Sequence, residues 1–317
     1  MIHVMQKVRH FIDLADVSVA ELNRILEIAA SLKADFFAGK RAPILERRVL
    51  GMVFEKMSLR TRVSFEAGMT HLGGSALMLE EQHIGFGKRE TAADISRVLS
   101  SMVDCIVFRA KQHESVLAMA QYSSCPVINA LTDRSHPCQA LADLLTIKEE
   151  FGGFSGVRVA WVGDSNNVAA SLIEAAAMLG VEVVISSPEG YRFSDAEIAR
   201  LTAQKIPGFK LEQIADPFEA VRGAAAVYTD VWVSMGQESE EAERKRIFAD
   251  YQVNKRLMAN ARPDAIFLHC LPARRGLEVT DDVIDSPQSR IVEEAANRMH
   301  AQKGLLVWLM TESNKSR

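Results

Sequence analysis

Short apolar runs alternate with stretches of helical periodicity along most of the chain, the pattern of βαβ units wound around parallel sheets. Ser18 and Glu21 make a capping box that opens an amphipathic helix to about residue 33. Residues 49–55, 105–109 and 127–129 read as buried strands, and residues 63–72 as a helix stopped by Gly73-Gly74. A long helix over 136–151 closes the first half. Gly152, Gly153 and Gly156 then mark a boundary, and the run RVAWVG over 158–163 starts a second α/β series. That series continues with a helix over 168–179, a strand over 182–186, a helix near 195–205, and strands ending at Thr229 and His269. The last helix, about 293–310, is apolar on more than one side and is expected to dock on another surface. The fold class is therefore α/β: two domains, each a central parallel sheet flanked by helices.

Polar motifs sit where those strands end, and in open α/β sheets ligands gather outside the carboxyl ends of strands. Ser58-Leu59-Arg60-Thr61-Arg62 lies between a strand and a helix, where unpaired backbone N–H groups favour an anion. Its hydroxyls and Arg60 suit an oxyanion, although Ser58 read alone is also an ordinary helix cap. Arg109 ends another strand. His136 and Gln139 share one helix face and can both donate to a carbonyl or amide, with a capping or core role as the alternative. Asp164, Asn166 and Asn167 follow Gly163; the dinucleotide fingerprint G-x-G-x-x-G is absent, which argues against a nicotinamide enzyme. Asp230 ends a strand and is followed by Ser234-Met235-Gly236, a candidate closing loop with a carboxylate for an ammonium group. The charges over 238–245 read as a solvated helix. Cys270, in His269-Cys270-Leu271-Pro272, is expected near basic groups that would lower its pKa and make it reactive.

The bulk properties narrow the partners. With 317 residues, 48% apolar and 25% charged, the chain supports two packed domains. A net charge of −4 argues against a nucleic-acid footprint. No run is long enough for a membrane span, and the first residues do not form a signal peptide. The four cysteines form no C-x-x-C pair, so no zinc site is expected, and free thiols fit a reducing cytoplasm.

In order, these motifs resemble those of the aspartate/ornithine carbamoyltransferase family, nearly end to end: Phe54-Glu55-Lys56, S-x-R-T-R, Arg109, H-P-C-Q at 136–139, Asn166-Asn167, residues 230–236, H-C-L-P at 269–272 and Asn297-Arg298. The D-x-x-x-S-M-G and H-C-L-P pair is similar to the ornithine-using branch rather than the aspartate one. The resemblance implies a carbamoyl-phosphate domain over 1–150, with a C-terminal helix of about 290–317 returning to it, and an ornithine domain over 151–289. It implies carbamoyl phosphate held by Ser58, Leu59, Arg60, Thr61, Arg109, His136, Gln139, Cys270, Leu271 and Arg298, with Arg109, His136 and Cys270 closest to the chemistry. It implies L-ornithine held by Asn167, Asp230, Ser234 and Met235, giving L-citrulline and phosphate. No cofactor or metal is expected, and a homotrimer or multiple of trimers is. Acetylornithine or putrescine is the alternative amine, and a non-catalytic amino-acid-binding protein on the same fold is the alternative outside enzymes.

Three positions depart from the family pattern. Ala296 stands where glutamate is common, with a consequence expected for the aim of Arg298. Residues 82–88 carry an unusual sequence where the family often reaches a neighbouring site, with Gln82 and His83 as candidates. Leu59 stands where the ornithine enzymes usually have threonine, so a hydroxyl is missing while the backbone N–H is kept. Leu59→Thr is therefore expected to tighten carbamoyl phosphate binding by about 1 kcal/mol. Titration calorimetry would read that gain, and unchanged or weaker binding would count against it.

Overall fold

The computed structural model describes residues 8–80, 85, 90–233 and 238–313. The chain divides into two compact units, Met1–Leu141 with Arg298–Arg317, and Ala142–Asn297. It passes from one to the other inside two helices, α5 (Pro137–Phe151) and α12 (Ile291–Val307).

In the first unit, Ser18 accepts from the Glu21 N–H and Glu21 reaches back to the Ser18 N–H at 2.8 Å. This box opens α1 (Val19–Phe37), four residues longer than expected. The unit then runs β1 (Val49–Phe54), α2 (Leu59–His71), β2 (Ser75–Glu80), α3 (Ala92–Ser100), β3 (Cys105–Arg109), α4 (His113–Tyr122) and β4 (Val127–Leu131). The strands form one parallel sheet in the order β2-β1-β3-β4. β1 and β3 are central and almost wholly buried, as expected of parallel strands covered on both faces. The edge strand β2 alternates between exposed and half-buried positions. Val53, Ile106, Phe108 and Val127 meet Ile95, Val116 and Met119 in one core cluster.

Helix α2 differs from expectation: it begins at Leu59, not near Val63, because Ser58 caps it. Apolar periodicity starts only at Val63, so the polar first turn carries no hydrophobic signal although it is helical. The motif S-x-R-T-R is thus the cap and first turn of a helix.

The second unit contains β5 (Arg158–Val162), α6 (Asn167–Met178), β6 (Glu182–Ser186), α7 (Asp195–Ala203), β7 (Glu212–Ile214), α8 (Pro217–Ala220), β8 (Ala226–Thr229), α9 (Glu241–Ile247), α10 (Lys255–Met258), β9 (Ile266–His269) and α11 (Asp281–Ile284). Its parallel sheet has the order β7-β6-β5-β8-β9. Alternate residues feed opposite faces. Val159 and Trp161 join Leu172, Ile173 and Tyr228 in one cluster, while Ala160 and Val162 join Val227, Leu257 and Phe267 in another. Gly163 leaves β5 with φ +142°, a backbone region that a side chain rarely adopts.

From Arg298 onward the last helix packs within the first unit. Lys303 Nζ donates to the Leu32 carbonyl at 3.2 Å, and a Cβ at Gly304 would lie 2.6 Å from the Ile25 carbonyl oxygen and 2.8 Å from the Ala29 methyl. α12 ends at Val307 in a single π-turn, Trp308–Glu312. Gly304 is therefore what lets α12 lie against α1. Gly304→Ala forces those backbones apart and is expected to cost about 2 kcal/mol of stability. Urea unfolding would measure it, and an unchanged midpoint would contradict the close approach.

Candidate active site

Each sheet reverses its strand order at one place, and the polar motifs collect there. In the first unit the reversal lies between β1 and β3. Ser58, just after β1, accepts from the Thr61 N–H at 3.3 Å, and its own hydroxyl donates to Thr61 Oγ1 at 3.1 Å. The N–H groups of Leu59 and Arg60, in the first turn of α2, have no acceptor within the helix. Arg109, at the end of β3, brings Nη1 to 3.4 Å from the Thr61 hydroxyl, and Arg298 Nη2 lies 3.4 Å from the same oxygen. Arg298 Nη1 donates to Gln139 Oε1 at 2.7 Å. Two guanidinium groups thus converge over a helix N-terminus, an arrangement that suits a phosphate.

His136 is buried beside them. Burial, then Arg298 and Arg109, push its pKa well below the ordinary histidine value, so the ring is neutral at neutral pH. A neutral imidazole can donate one hydrogen bond to a carbonyl oxygen without adding a third cation.

In the second unit the reversal lies between β5 and β8. Asn166 caps α6, its Oδ1 accepting from Val168 and Ala169, while its Nδ2 donates to Asp230 Oδ2 at 2.8 Å. Asn167 opens the helix. Asp230, just past β8, is 8% exposed. Its Oδ1 accepts from the Cys270 thiol at 3.0 Å and from the Val231 N–H at 2.8 Å. At the end of β9, His269 Nδ1 accepts from the Leu271 N–H at 2.9 Å, and its Nε2 lies 3.2 Å from Glu278 Oε1. That bond helps hold Leu271 at φ +57°.

Ligand atoms of Asp230, His269 and Cys270 lie within 4.8 Å of one another, a grouping that sequence spacing does not reveal. Both ring nitrogens of His269 are already engaged, and Cys270 holds its proton toward Asp230. The trio is therefore built as a hydrogen-bond network rather than as a set of open donors.

The chain matches two family domains: aspartate/ornithine carbamoyltransferase, carbamoyl-P binding domain, over residues 9–149, and the Asp/Orn binding domain over 155–309. It is 50% identical over 309 residues to "Ornithine carbamoyltransferase" of Pyrococcus abyssi, covering 97% of each chain. It is 49% identical over 304 residues to "Ornithine carbamoyltransferase, anabolic" of Pyrococcus furiosus, covering 95% of this chain and 96% of that one. The solved structure of the ornithine carbamoyltransferase from Pyrococcus furiosus superposes with a TM-score of 0.91 at 48% identity, covering 98% and 99% of the two chains.

The chain belongs to the aspartate/ornithine carbamoyltransferase family.

Within that family frame, the first unit gathers Ser58, Thr61, Arg109, His136, Gln139 and Arg298, and the second gathers Asp230, Cys270 and Leu271, with Asn167 beside Asn166. Arg60 is half-buried on the first turn of α2, and the Leu59 side chain is 74% exposed. Only the Leu59 backbone therefore faces the helix-terminus role. Ser234 and Met235, like Gln82, His83 and Lys88, lie outside the described residues. Ala296 is exposed on α12, whereas the Arg298 guanidinium is aimed by Gln139 and Thr61.

Two expectations are overturned. Cys270 is not an activated thiolate. Burial, then Asp230, Glu294 and Asp143, push its pKa well above the ordinary thiol value; its charged neighbours are acids, not bases. Nor is the charged stretch after Asp230 wholly solvated. Arg244 is 6% exposed: it bonds Asp164 Oδ2 at 2.7 Å, Glu240 Oε2 at 2.8 Å and the Trp232 carbonyl at 3.0 Å, and its Cζ sits 4.8 Å above the Tyr191 ring. This arginine ties the segment after β8 to the turn after β5. Arg244 was missed as a site residue; the signal was one buried position in a helix of exposed charges.

Arg244→Gln strands the nearly buried Asp164 carboxylate and is expected to cost about 3 kcal/mol. Glu240, half exposed, adds little. Thermal unfolding would measure the loss, and a change under about 1 kcal/mol would mean that the arginine is effectively solvated.

Proposed function

We infer that the chain transfers the carbamoyl group of carbamoyl phosphate to the side-chain amine of L-ornithine, giving L-citrulline and phosphate. The observation that carries this reading is that the first unit has an anion-binding strand reversal and the second has a carboxylate-bearing one. Citrulline formation fits arginine biosynthesis, and one of the relatives is named anabolic.

The residue roles are proposals. The Ser58–Thr61 turn and Arg60 hold the phosphate, Arg109, Gln139 and neutral His136 hold the carbamoyl oxygen and amide with Arg109 also reaching the phosphate, and Arg298 completes that pocket. Cys270 and the Leu271 backbone join that set on the resemblance. Asp230 receives the α-ammonium of ornithine, and Asn167, Ser234 and Met235 join the ornithine-binding set on the resemblance. No cofactor is assigned. The side-chain ammonium first gives up a proton, because only the free amine has a lone pair. The amine nitrogen then bonds to the carbamoyl carbon, charge gathers on the carbonyl oxygen, the carbon–oxygen bond to phosphate breaks with the electron pair leaving on phosphate, and the nitrogen's second proton passes to that departing phosphate. Each preorganised donor to that oxygen is typically worth about 3 kcal/mol. Holding both reactants in line removes a further entropic barrier.

We also propose a homotrimer, or a multiple of trimers, built on the first unit, in the cytoplasm. The first unit exposes Met57 at 60%, Leu59 at 74% and Met102 at 72%, together with Val63, Leu77 and Val98, and the open edge of β2. Such a surface favours association. All four cysteines are free, which suits a reducing compartment. Among the described residues, no helix is long and apolar enough to cross a membrane.

The deciding assay is citrulline formation from carbamoyl phosphate with ornithine, and with acetylornithine, putrescine and aspartate in parallel. Turnover with ornithine alone is expected. Preference for acetylornithine or putrescine would overturn the role given to Asp230, and phosphate release with none of them would leave a binding protein.

A further inference from the structure

Behind the ends of β8 and β9, within the second unit, lies a closed acidic cluster that the reaction above does not touch. Asp143 from α5 and Glu294 from α12 are both 0% exposed. The Tyr228 hydroxyl is 3.0 Å from Glu294 Oε1 and 3.3 Å from Asp143 Oδ1. One phenol hydroxyl therefore stands between two buried carboxyl groups. Glu294 Oε2 accepts the His269 N–H at 2.9 Å. Cys270 is the next residue, and its thiol donates to Asp230.

Counting protons fixes the state of this cluster. A phenol has one proton and can donate it to only one carboxyl at a time. Ionised carboxylates only accept, so the carboxyl that does not receive the phenol proton can bond the phenol oxygen only by donating a proton of its own. The pair therefore holds one proton and one negative charge. Burial and the neighbouring Asp143 push the Glu294 carboxyl well above the ordinary range, in keeping with that count.

We propose that Glu294, sharing one proton with Asp143 beneath the Tyr228 hydroxyl, is a positioning residue for the end of β9: it fixes the His269 N–H and keeps the Cys270 Sγ–H donating to Asp230. The carboxylate that receives the substrate ammonium is thereby held in one orientation. This consequence rests on the reading of Asp230 given above. The groups facing the thiol are Asp230 after β8, Glu294 on α12, Asp143 on α5 and the Tyr228 hydroxyl. None of them is a cation, so the shared charge works in one direction only: against a thiolate.

The test uses the full-length protein with Asp143→Asn, Glu294→Gln and both together, and reads the pH profile of Cys270 alkylation by iodoacetamide through peptide mass spectrometry. Each single amide can donate to the phenol oxygen in place of the protonated carboxyl and leaves one negative charge, so each single profile is expected to coincide with that of the parent. The double variant has no charge, and its profile is expected to move down by about one pH unit. A single variant that moves as far as the double overturns the shared proton, and an unmoved double overturns the influence on the thiol. If the double variant does not fold, the infrared difference between the parent and Asp143→Asn at mildly alkaline pH decides. The carbonyl stretch of a protonated carboxylic acid is expected in the parent and lost in the variant, and its absence from the parent overturns the proposal. For positioning, Glu294→Leu is expected to raise the ornithine KM about tenfold with a smaller change in kcat, with Glu294→Gln restoring most of it. A fall in kcat alone overturns it. The thiol and infrared readouts need no turnover. A protein that makes no citrulline but shows the expected thiol shift refutes the function, and an active enzyme with an unmoved thiol refutes the acid pair.

Discussion

A parallel strand can be followed by its neighbour only through a crossover, and where strand order reverses, the two crossovers leave on opposite faces of the sheet. That constraint places everything of chemical interest here. In the first unit it separates α2 from the chain after β3 and leaves Thr61 and Arg109 facing one another. In the second it sets α6 beside the end of β8, so that Asn166 meets Asp230. The apolar strands are needed only to be buried; the residues one or two positions beyond them acquire their roles from where the sheet reverses.

The electrostatics of the two units differ in kind. The first assembles positive charge and prevents a third cation by burying His136 until it stays neutral. The second assembles negative charge and tolerates it by giving each oxygen a donor: Asn166, Cys270 and Val231 for Asp230, and Tyr228 and the His269 N–H for Glu294. Donors that are neutral set direction without cancelling charge, which suits binding sites for ionic substrates.

Most strands were legible because parallel strands buried on both faces are short unbroken apolar runs, as at 105–109 and 158–162. Capping chemistry was legible at Ser18, where the box is complete within four residues. The start of α2 was not, since Arg60, Thr61 and Arg62 have no apolar period to announce a helix. Of the candidate site, the strand-end residues stood out as polar groups after apolar runs. What escaped were groups whose role depends on distant neighbours. Arg244 looks like any charge in a run of charges until Asp164, eighty residues earlier, is beside it. Cys270 was read as reactive because basic motifs are prominent in the sequence, whereas folding surrounds it with acids.

Cys270 also bears on how the protein meets peroxide. A cysteine is oxidised through its thiolate, and the acids around this one suppress that form. Cys105, Cys125 and Cys138 are buried, with pKa values pushed up by burial. The protein's cysteines thus offer peroxide little to attack, unlike a cysteine that works as an ionised thiolate.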